Sequence, residues 1–495
     1  MIKKTRIFLK KYWFISSAIV IVLISIFFRF INYDSRWGLA SDQARDAIIG
    51  SYAVENFKFP LIGSFSSAGP FQTGAQWYWF IMLGTAIFRN SFLGPWIFLG
   101  IIYVISVILM ILVGKILIGG KFGLLIGIFL AVSTAEITQS TNLTNPSLLS
   151  FSSLLSILFM ILYVKSKRLL YLFFLAFSIS FGIGVHLQGI PLLFLLALML
   201  LLIGFPSKKG VVVLFLGLLI PTIPFFLYEI MHNFFNIKNM AYYYFHDQYN
   251  ISFEVLGRRW LTYVGFFLPQ AWSHILGGFP VISYVSIFFV GIITVLKLIK
   301  RSISKDWIII LSTLLFSLFA LRYARTPLYY GYIVFLHPFI IIITGWATYF
   351  TYRYNKVVGI ILFSVLVIGS CYKNYSEIIN AKNDTAYKMQ EWGKLLVKLY
   401  PNDLFAIYDL GYRSSGSSLP LVLYLYREGK ISDSGRRIGF GFIDEREDRI
   451  HPQIKGNTIG STIRDLQRDS PIKLQKEGWE LVNPKMIYNS IENWN

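Results

Sequence analysis

The sequence predicts a polytopic α-helical membrane protein with about eleven transmembrane helices and a small soluble C-terminal domain of α/β or α+β type. Three observations carry this. Of 495 residues, 55% are hydrophobic and only 14% charged, against roughly 25% charged in a soluble protein. Apolar runs long enough to cross a bilayer, which takes roughly 17–25 residues, recur between residues 13 and 372. After Tyr372 the composition becomes that of a soluble domain, so the chain divides into 1–372 and 373–495.

The first apolar run, 13–31, follows a basic flank of Lys3, Lys4, Arg6, Lys10 and Lys11. It is too long for a signal peptide and lacks a small-residue cleavage site, so it reads as a first transmembrane helix. Further spans are expected at 92–118, 122–140, 147–164, 169–186, 189–205, 211–230, 279–298, 307–321, 331–350 and 357–372. The aromatic run 75–88 is 14 residues long, marginal for a crossing, and charge parity decides it. With eleven spans the basic loops at 115–121, 165–168, 208–209, 297–305 and 353–356 all share the side of the amino terminus, as the positive-inside rule asks. Counting 75–88 as a crossing would move them all to the other side. It is therefore read as a juxtamembrane or re-entrant helix in the first outer loop, 32–91.

That loop contains the segment of most chemical interest, Trp37 to Glu55. The first 372 residues hold only nine acids, and three of them, Asp42, Asp46 and Glu55, fall here. Ser41 reads as an N-cap with Asp42 as the first helical residue, where the helix dipole favours a carboxylate. Asp42 and Asp46, four apart, share one face with Arg45 adjacent. Ala44, Ala47, Ile48 and Tyr52 form a rough apolar stripe, which predicts a short helix lying at the membrane interface. The second long outer loop, 231–278, mixes His232, Tyr242, Tyr243, Tyr244, His246, Asp247, Glu254, Arg258, Arg259 and His274, a pattern suited to lipid headgroups. In the tail, 404–409 reads as a strand, 419–427 as a helix or second strand, and 433–449 as a polar loop rich in Gly and Arg.

The formal charge of +21 does not indicate a nucleic-acid partner. Residues 373–495 hold 18 Lys+Arg and 16 Asp+Glu, so the excess belongs to the short loops of the membrane part. The single cysteine, Cys371, excludes an intramolecular disulfide and a cysteine-ligated zinc site. There is no internal repeat, P-loop, GxGxxG or HExxH.

A short cytoplasmic amino terminus, one span and then a large outer loop opening on Ser41-Asp42-Gln43-Ala44-Arg45-Asp46-Ala47 resemble the GT-C glycosyltransferases. More narrowly, they resemble bacterial relatives of protein O-mannosyltransferases and aminoarabinose transferases. Gly69-Pro70-Phe71 with Trp77-Tyr78-Trp79 is similar to the family's Gly-Pro-Leu segment and its following tyrosines. Thr144-Asn145-Pro146-Ser147 and His186-Leu187-Gln188 are similar to its outer-face motifs. Tyr332 to Pro338, after Arg322 and Arg325, is similar to its late Arg-Tyr…Pro segment. Gln43 departs from the pattern, standing where a second acid is usual.

The resemblance implies a GT-C-like fold and an inverting transfer of sugar from a polyprenyl-phosphate carrier to a glycan, lipid or protein acceptor. It implies an inner-membrane protein, surrounded by membrane lipids, whose active site and C-terminal domain are extracytoplasmic. Asp42 is then the general base, with Asp46 as a second catalytic candidate. Arg45, Arg258, Arg259, Arg322, Arg325, His186, Gln188 and Asn145 are candidates for the donor phosphate and substrate. No cofactor is certain; a divalent metal stays open but without support, since Gln43 stands in place of an acid and Phe71 and Gln72 where some relatives have a His or a second Asp.

Structural readings stand beside these. Asp42 could be a helix-start charge, Asp46 an ion-pair partner, His186 a satisfied span-end histidine, and Asn145 a turn residue before Pro146. Arg322 and Arg325 could snorkel at the membrane boundary, and Trp77-Tyr78-Trp79 could be an aromatic belt. Two other functions share lipid-linked chemistry: a polysaccharide polymerase or ligase, with its key residues in 231–278, and a flippase for lipid-linked glycans. A transporter tends to place polar or broken helices at the midplane, often in repeated halves. Here the midplane is nearly free of ionisable residues.

Overall fold

Within a bilayer every backbone N–H and C=O needs an internal partner, which leaves the helix as the economical shape for long apolar runs. Each of the eleven runs folds that way in the structure, a computed structural model. Residues 2–66, 69–89, 91–246, 265–321, 330–381, 384–409, 418–442, 461–467 and 470–492 are described.

In chain order the membrane part comprises α1 (Ile2–Phe30), α2 (Ser41–Glu55), the strands β1 (Ile62–Phe65) and β2 (Gln72–Gly74), then α3 (Gln76–Ile87), α4 (Gly94–Leu117), α5 (Gly120–Val132), α6 (Thr134–Gln139), α7 (Leu149–Ser166) and α8 (Leu169–Val185). It continues through α9 (Leu192–Ile203), α10 (Lys208–Leu219), α11 (Ile223–Met231), α12 (Phe235–Phe245), α13 (Trp272–Ile275), α14 (Pro280–Ile299), α15 (Lys305–Leu321), α16 (His337–Tyr354) and α17 (Lys356–Ile379). Among the described residues, seven helical stretches are long and apolar enough to cross a membrane: Tyr12–Phe30, Gly94–Leu117, Asn145–Ser166, Lys208–Met231, Pro280–Ile299, Tyr330–Tyr354 and Lys356–Ile379. Three shorter apolar ones, Gly120–Val132, Leu169–Val185 and Leu187–Ile203, lie among them. This is an integral membrane protein.

The sequence explains the interruptions. Pro221 turns the fourth long stretch, Lys208–Met231, through a single 3-10 turn between α10 and α11, because its ring lacks the N–H a helix interior needs. α4 and α5 approach until their backbones nearly touch: a Cβ on Gly114 would meet Gly123 Cα at 2.6 Å. Small residues permit that proximity in membranes. Large apolar side chains such as Ile15, Ile19, Leu23 and Phe27 on α1 and Val281 and Phe288 on α14 stay exposed, as a lipid-facing surface requires.

α3, at 12 residues, is about 18 Å long at 1.5 Å per residue, short of a hydrocarbon core of about 30 Å. β1 and β2 pair antiparallel between α2 and α3. The expectation for α2 itself needs correcting. Nine of its residues are buried, including Ala44, Asp46, Ile48, Ile49 and Ser51, so it is enclosed by protein rather than laid on lipid. α3 covers one side, and helices from the C-terminal region cover the rest.

That region comprises α18 (Asp384–Leu399), β3 (Phe405–Asp409), α19 (Leu419–Arg427), β4 (Arg436–Phe442), β5 (Ser461–Asp465), α20 (Pro471–Lys476), β6 (Glu480–Val482) and α21 (Pro484–Glu492). The sheet order is β5-β4-β3-β6, with β3 and β4 parallel and the outer pairs antiparallel. The expected strand at 404–409 is present, and 419–427 is helical. The expected polar loop at 433–449 is overturned where 436–442 forms β4: Ile438 and Phe440 alternate inward and are fully buried between two partners, which decides for strand despite Arg436, Arg437, Gly439 and Gly441.

α19 and α21 both pack on α2. The Tyr426 hydroxyl donates to the Glu55 carboxylate, and the Tyr52 and Tyr488 rings meet at 5.3 Å. Arg427 donates to the carbonyls of Arg89 and Ser91 at 2.9 and 3.2 Å.

Candidate active site

The acidic helix begins without an oxygen at its N-cap. Ser41 is the first helical residue, and Ala40 holds the cap position in extended backbone. Gln43 supplies the missing acceptor, its Oε1 taking the Ala40 N–H at 3.0 Å, the return half of a capping box. Its Nε2 donates to Asn142 Oδ1 at 2.8 Å, and the Gly38 N–H donates to the Thr141 carbonyl at 3.0 Å. The residue that departs from the expected acid therefore joins α2 to the loop after α6.

One turn of α2 then presents two unlike carboxylates. Arg45 Nη1 meets Asp42 Oδ1 at 2.8 Å, and Nη2 meets Asp46 Oδ1 at 2.8 Å. The Asp42 side chain is 71% exposed, that of Asp46 only 3%. Asp46 also accepts from Trp77 Nε1 at 2.8 Å and from the Tyr78 hydroxyl at 3.4 Å. Burial pushes the Asp46 carboxyl above its ordinary value, while the Arg45 guanidinium and the Trp77 N–H pull it back. Asp46 is an anchor; Asp42 is the carboxylate free to meet a ligand.

Three further segments converge on Asp42. Thr144, Asn145 and Pro146 form one wall, held by Ser147, whose hydroxyl lies 2.7 Å from both Gln139 Oε1 and the Asn142 carbonyl. His186, Leu187 and Gln188 form a second. α8 stops at Val185, so His186 lies in the loop rather than in a span. Its Nδ1 accepts the Gln188 N–H at 3.2 Å, which leaves the proton of the neutral ring on Nε2. Burial lowers its pKa to about 4, keeping the ring neutral near pH 7. Gly331 and Tyr332 form a third wall, with Leu321 at the rim. Phe65, Phe71 and Tyr243 add aromatic surface, Phe71 and Tyr243 lying 5.5 Å apart. The half-open cavity measures about 700 Å³, within the range of small-molecule sites.

Asp42, Arg45, Asp46, Asn145, His186 and Gln188 thus line one cavity, though the sequence separates the first and last by 146 positions (188 − 42). Arg258, Arg259, Arg322 and Arg325 lie outside the described residues. Among the described residues no lining side chain beyond Arg45 carries a fixed positive charge. Glu55 turns away to Tyr426, and Trp77 and Tyr78 are buried partners of Asp46, not a belt. Sequence reasoning missed Asn142 and Phe65 altogether. Phe71, Trp77, Tyr78, Tyr243 and Tyr332 stood out there only within motifs or aromatic clusters, without the contacts that bring them to the site. Among the described residues no group of three or more His, Cys, Asp or Glu is placed to hold a metal ion. Arg45 itself fills the space between the two carboxylates.

No family profile matches this sequence, and no curated protein matches it. Solved structures do match. ArnT from Cupriavidus metallidurans, bound to undecaprenyl phosphate, superposes with a TM-score of 0.58 at 10% identity, over 90% of this chain and 97% of that one. The chain has the GT-C fold. The same GT-C architecture relates it to AglB, the oligosaccharyltransferase of Archaeoglobus fulgidus. In complex with an inhibitory peptide and a dolichol-phosphate, AglB gives a TM-score of 0.53 at 10% identity, over 98% of this chain and 77% of that one. The apo form of the A. fulgidus enzyme gives 0.51 at 12% identity, and there the chain spans 78% of itself but only 58% of its counterpart. At such identities the likeness is one of fold.

Proposed function

We propose that this protein is an inverting glycosyltransferase that moves a sugar from a polyprenyl-phosphate carrier to an acceptor hydroxyl on the extracytoplasmic side of the membrane. The observation that supports it is the convergence of an exposed carboxylate, Asp42, with Asn145, His186 and Gln188 around one cavity. The GT-C fold gives that cavity its context: ArnT is seen with undecaprenyl phosphate and AglB with a dolichol-phosphate.

In this reading the acceptor oxygen attacks the anomeric carbon as the bond from that carbon to the phosphate oxygen breaks. Asp42 takes the acceptor proton as general base, and the electron pair of the broken bond leaves on the carrier phosphate. Arg45 holds Asp42 in orientation through their 2.8 Å contact. His186 Nε2–H and the amides of Asn145 and Gln188 donate to substrate oxygens, and the aromatic lining covers the sugar. Arg258, Arg259, Arg322 and Arg325 are the candidates for further charge on the leaving phosphate, since guanidinium groups suit phosphate oxygens. With Arg45 between the carboxylates, no step is routed through a metal. The reading also places eleven spans in the inner membrane and treats 373–495 as an extracytoplasmic domain. That domain supports α2 from behind, since no described residue beyond Tyr332 lines the cavity.

The test is a panel of labelled polyprenyl-phosphate monosaccharides offered to purified protein, with the anomeric configuration of the product read by NMR. Release of sugar with inversion is expected. A product of retained configuration would contradict the mechanism, and binding without release from any donor would favour a flippase.

A further inference from the structure

We propose that Glu136 and His337 form a buried brace that fixes the spacing of two cavity walls, and so act as positioning residues for the transfer. The proposal deepens the function given above and rests on it. Neither side chain lines the cavity. Both are sealed in protein, 0% and 2% exposed, with His337 Nδ1 at 2.8 Å from Glu136 Oε1. Ser150 donates to the same oxygen at 2.7 Å. A carboxylate can only accept, so Nδ1 carries the proton, and the bond runs from imidazole to carboxylate.

What the pair joins gives it meaning. Glu136 lies in α6, three residues before Gln139, whose amide oxygen meets Ser147 at the base of the 142–146 wall. His337 opens α16, five residues after Tyr332 of the neighbouring wall. Between them Ser153 donates to the Phe335 carbonyl at 2.7 Å, so the 330–336 turn is fastened from two sides. Arg29, fully buried, donates to the Leu130 and Ala131 carbonyls at the end of α5 and acts electrostatically on Glu136. The carboxylate therefore has a counter-charge from a third helix.

Energetics favour a geometric role. A buried ion pair is weak evidence for stability, because desolvation offsets much of the attraction and apolar side chains of similar volume hold a core as well. Apolar contact, however, does not fix direction. One short bond sets the distance between segments 201 residues apart, Ser150 donating to the same oxygen holds the carboxylate's orientation, and those segments lead to Asn145 and Tyr332.

Amide hydrogen exchange of the full chain in lipid nanodiscs, beside donor turnover, tests this. Glu136→Ala is expected to raise exchange at least tenfold in 140–148 and 330–336 while α2 keeps its protection, and to lower kcat/KM for the donor at least tenfold. Glu136→Gln, which keeps the accepting oxygen, is expected to restore both within about threefold. If Glu136→Ala does not fold, His337→Leu takes its place, with His337→Asn, whose amide stands near Nδ1, as its rescue. Wild-type exchange in both walls, or a Gln or Asn variant as impaired as the Ala or Leu one, would overturn the brace. Altered wall exchange in a protein whose wild type turns over no donor would uphold the brace and sink the proposed reaction instead.

Discussion

Arg45 lies between two carboxylates that meet opposite surroundings. Asp42, mostly exposed, remains available to a substrate, whereas Asp46 is enclosed by Arg45, Trp77 and Tyr78. Asp46→Ala would leave the Trp77 indole N–H without its acceptor and the guanidinium with Asp42 as its one remaining carboxylate. It is expected to cost about 3–5 kcal/mol, the range for breaking a buried pair, read by thermal unfolding in detergent. The two histidines held near pKa 4, His186 and His274, give a pH signature. Both are lowered chiefly by burial, below an unfolded value near 6.5. Between about pH 6.5 and 4 the unfolded chain binds protons that the folded chain refuses. Stability is therefore complete above pH 6.5 and falls as pH drops through that window. The His186→Gln/His274→Gln double variant is expected to flatten the slope; an unchanged slope would assign it to other groups. At this scale the Asp42–Arg45–Asp46 cluster was readable, because its spacing is a local property of a helix. Trp77 was not, because its bond to Asp46 exists only once α3 packs on α2.

The packing of α2 is set by Gly50. A Cβ there would meet Ile81 Cγ2 at 2.5 Å and Ile81 Cβ at 3.2 Å, and a β-branched side chain in a helix has little freedom to move aside. Gly50→Ala is expected to destabilise by about 1–3 kcal/mol as overpacking and to lower turnover by shifting Asp42 relative to Asn142. Unfolding midpoints and rates measured on one preparation would show both effects together. The helical membrane part was legible because apolar run length is a direct reading of bilayer thickness, and seven stretches among the described residues meet that length. The environment of α2 was not. Its stripe of Ala44, Ala47, Ile48 and Tyr52 fits lipid or protein equally well, and the covering helices α19 and α21 come from more than 360 residues further along the chain. β4 was missed for a related reason: Arg and Gly disguised a strand whose Ile438 and Phe440 are buried by neighbours on both sides.

For the whole molecule, charge parity and the single cysteine make the topology testable. In a Cys371→Ser background, a cysteine at Lys209 is expected to react with impermeant thiol reagents only from the cytoplasmic side, and one at Ser434 only from outside. The reverse pattern would invert the placement of the cavity. Four segments distant in sequence were each legible as a motif, but their meeting around 700 Å³ depends on how the bundle closes, which local patterns do not encode. The most direct test of the central claim compares wild type and Asp42→Asn on one accepted polyprenyl-phosphate sugar, with donor affinity and transfer rate measured side by side. Because Asp42 is exposed and its loss leaves the Asp46 anchor intact, folding and donor affinity should hold within a few-fold. The transfer rate is expected to fall by about 10²–10⁴, the usual contribution of a general base. Equal rates in the two proteins would contradict the account and move the base elsewhere.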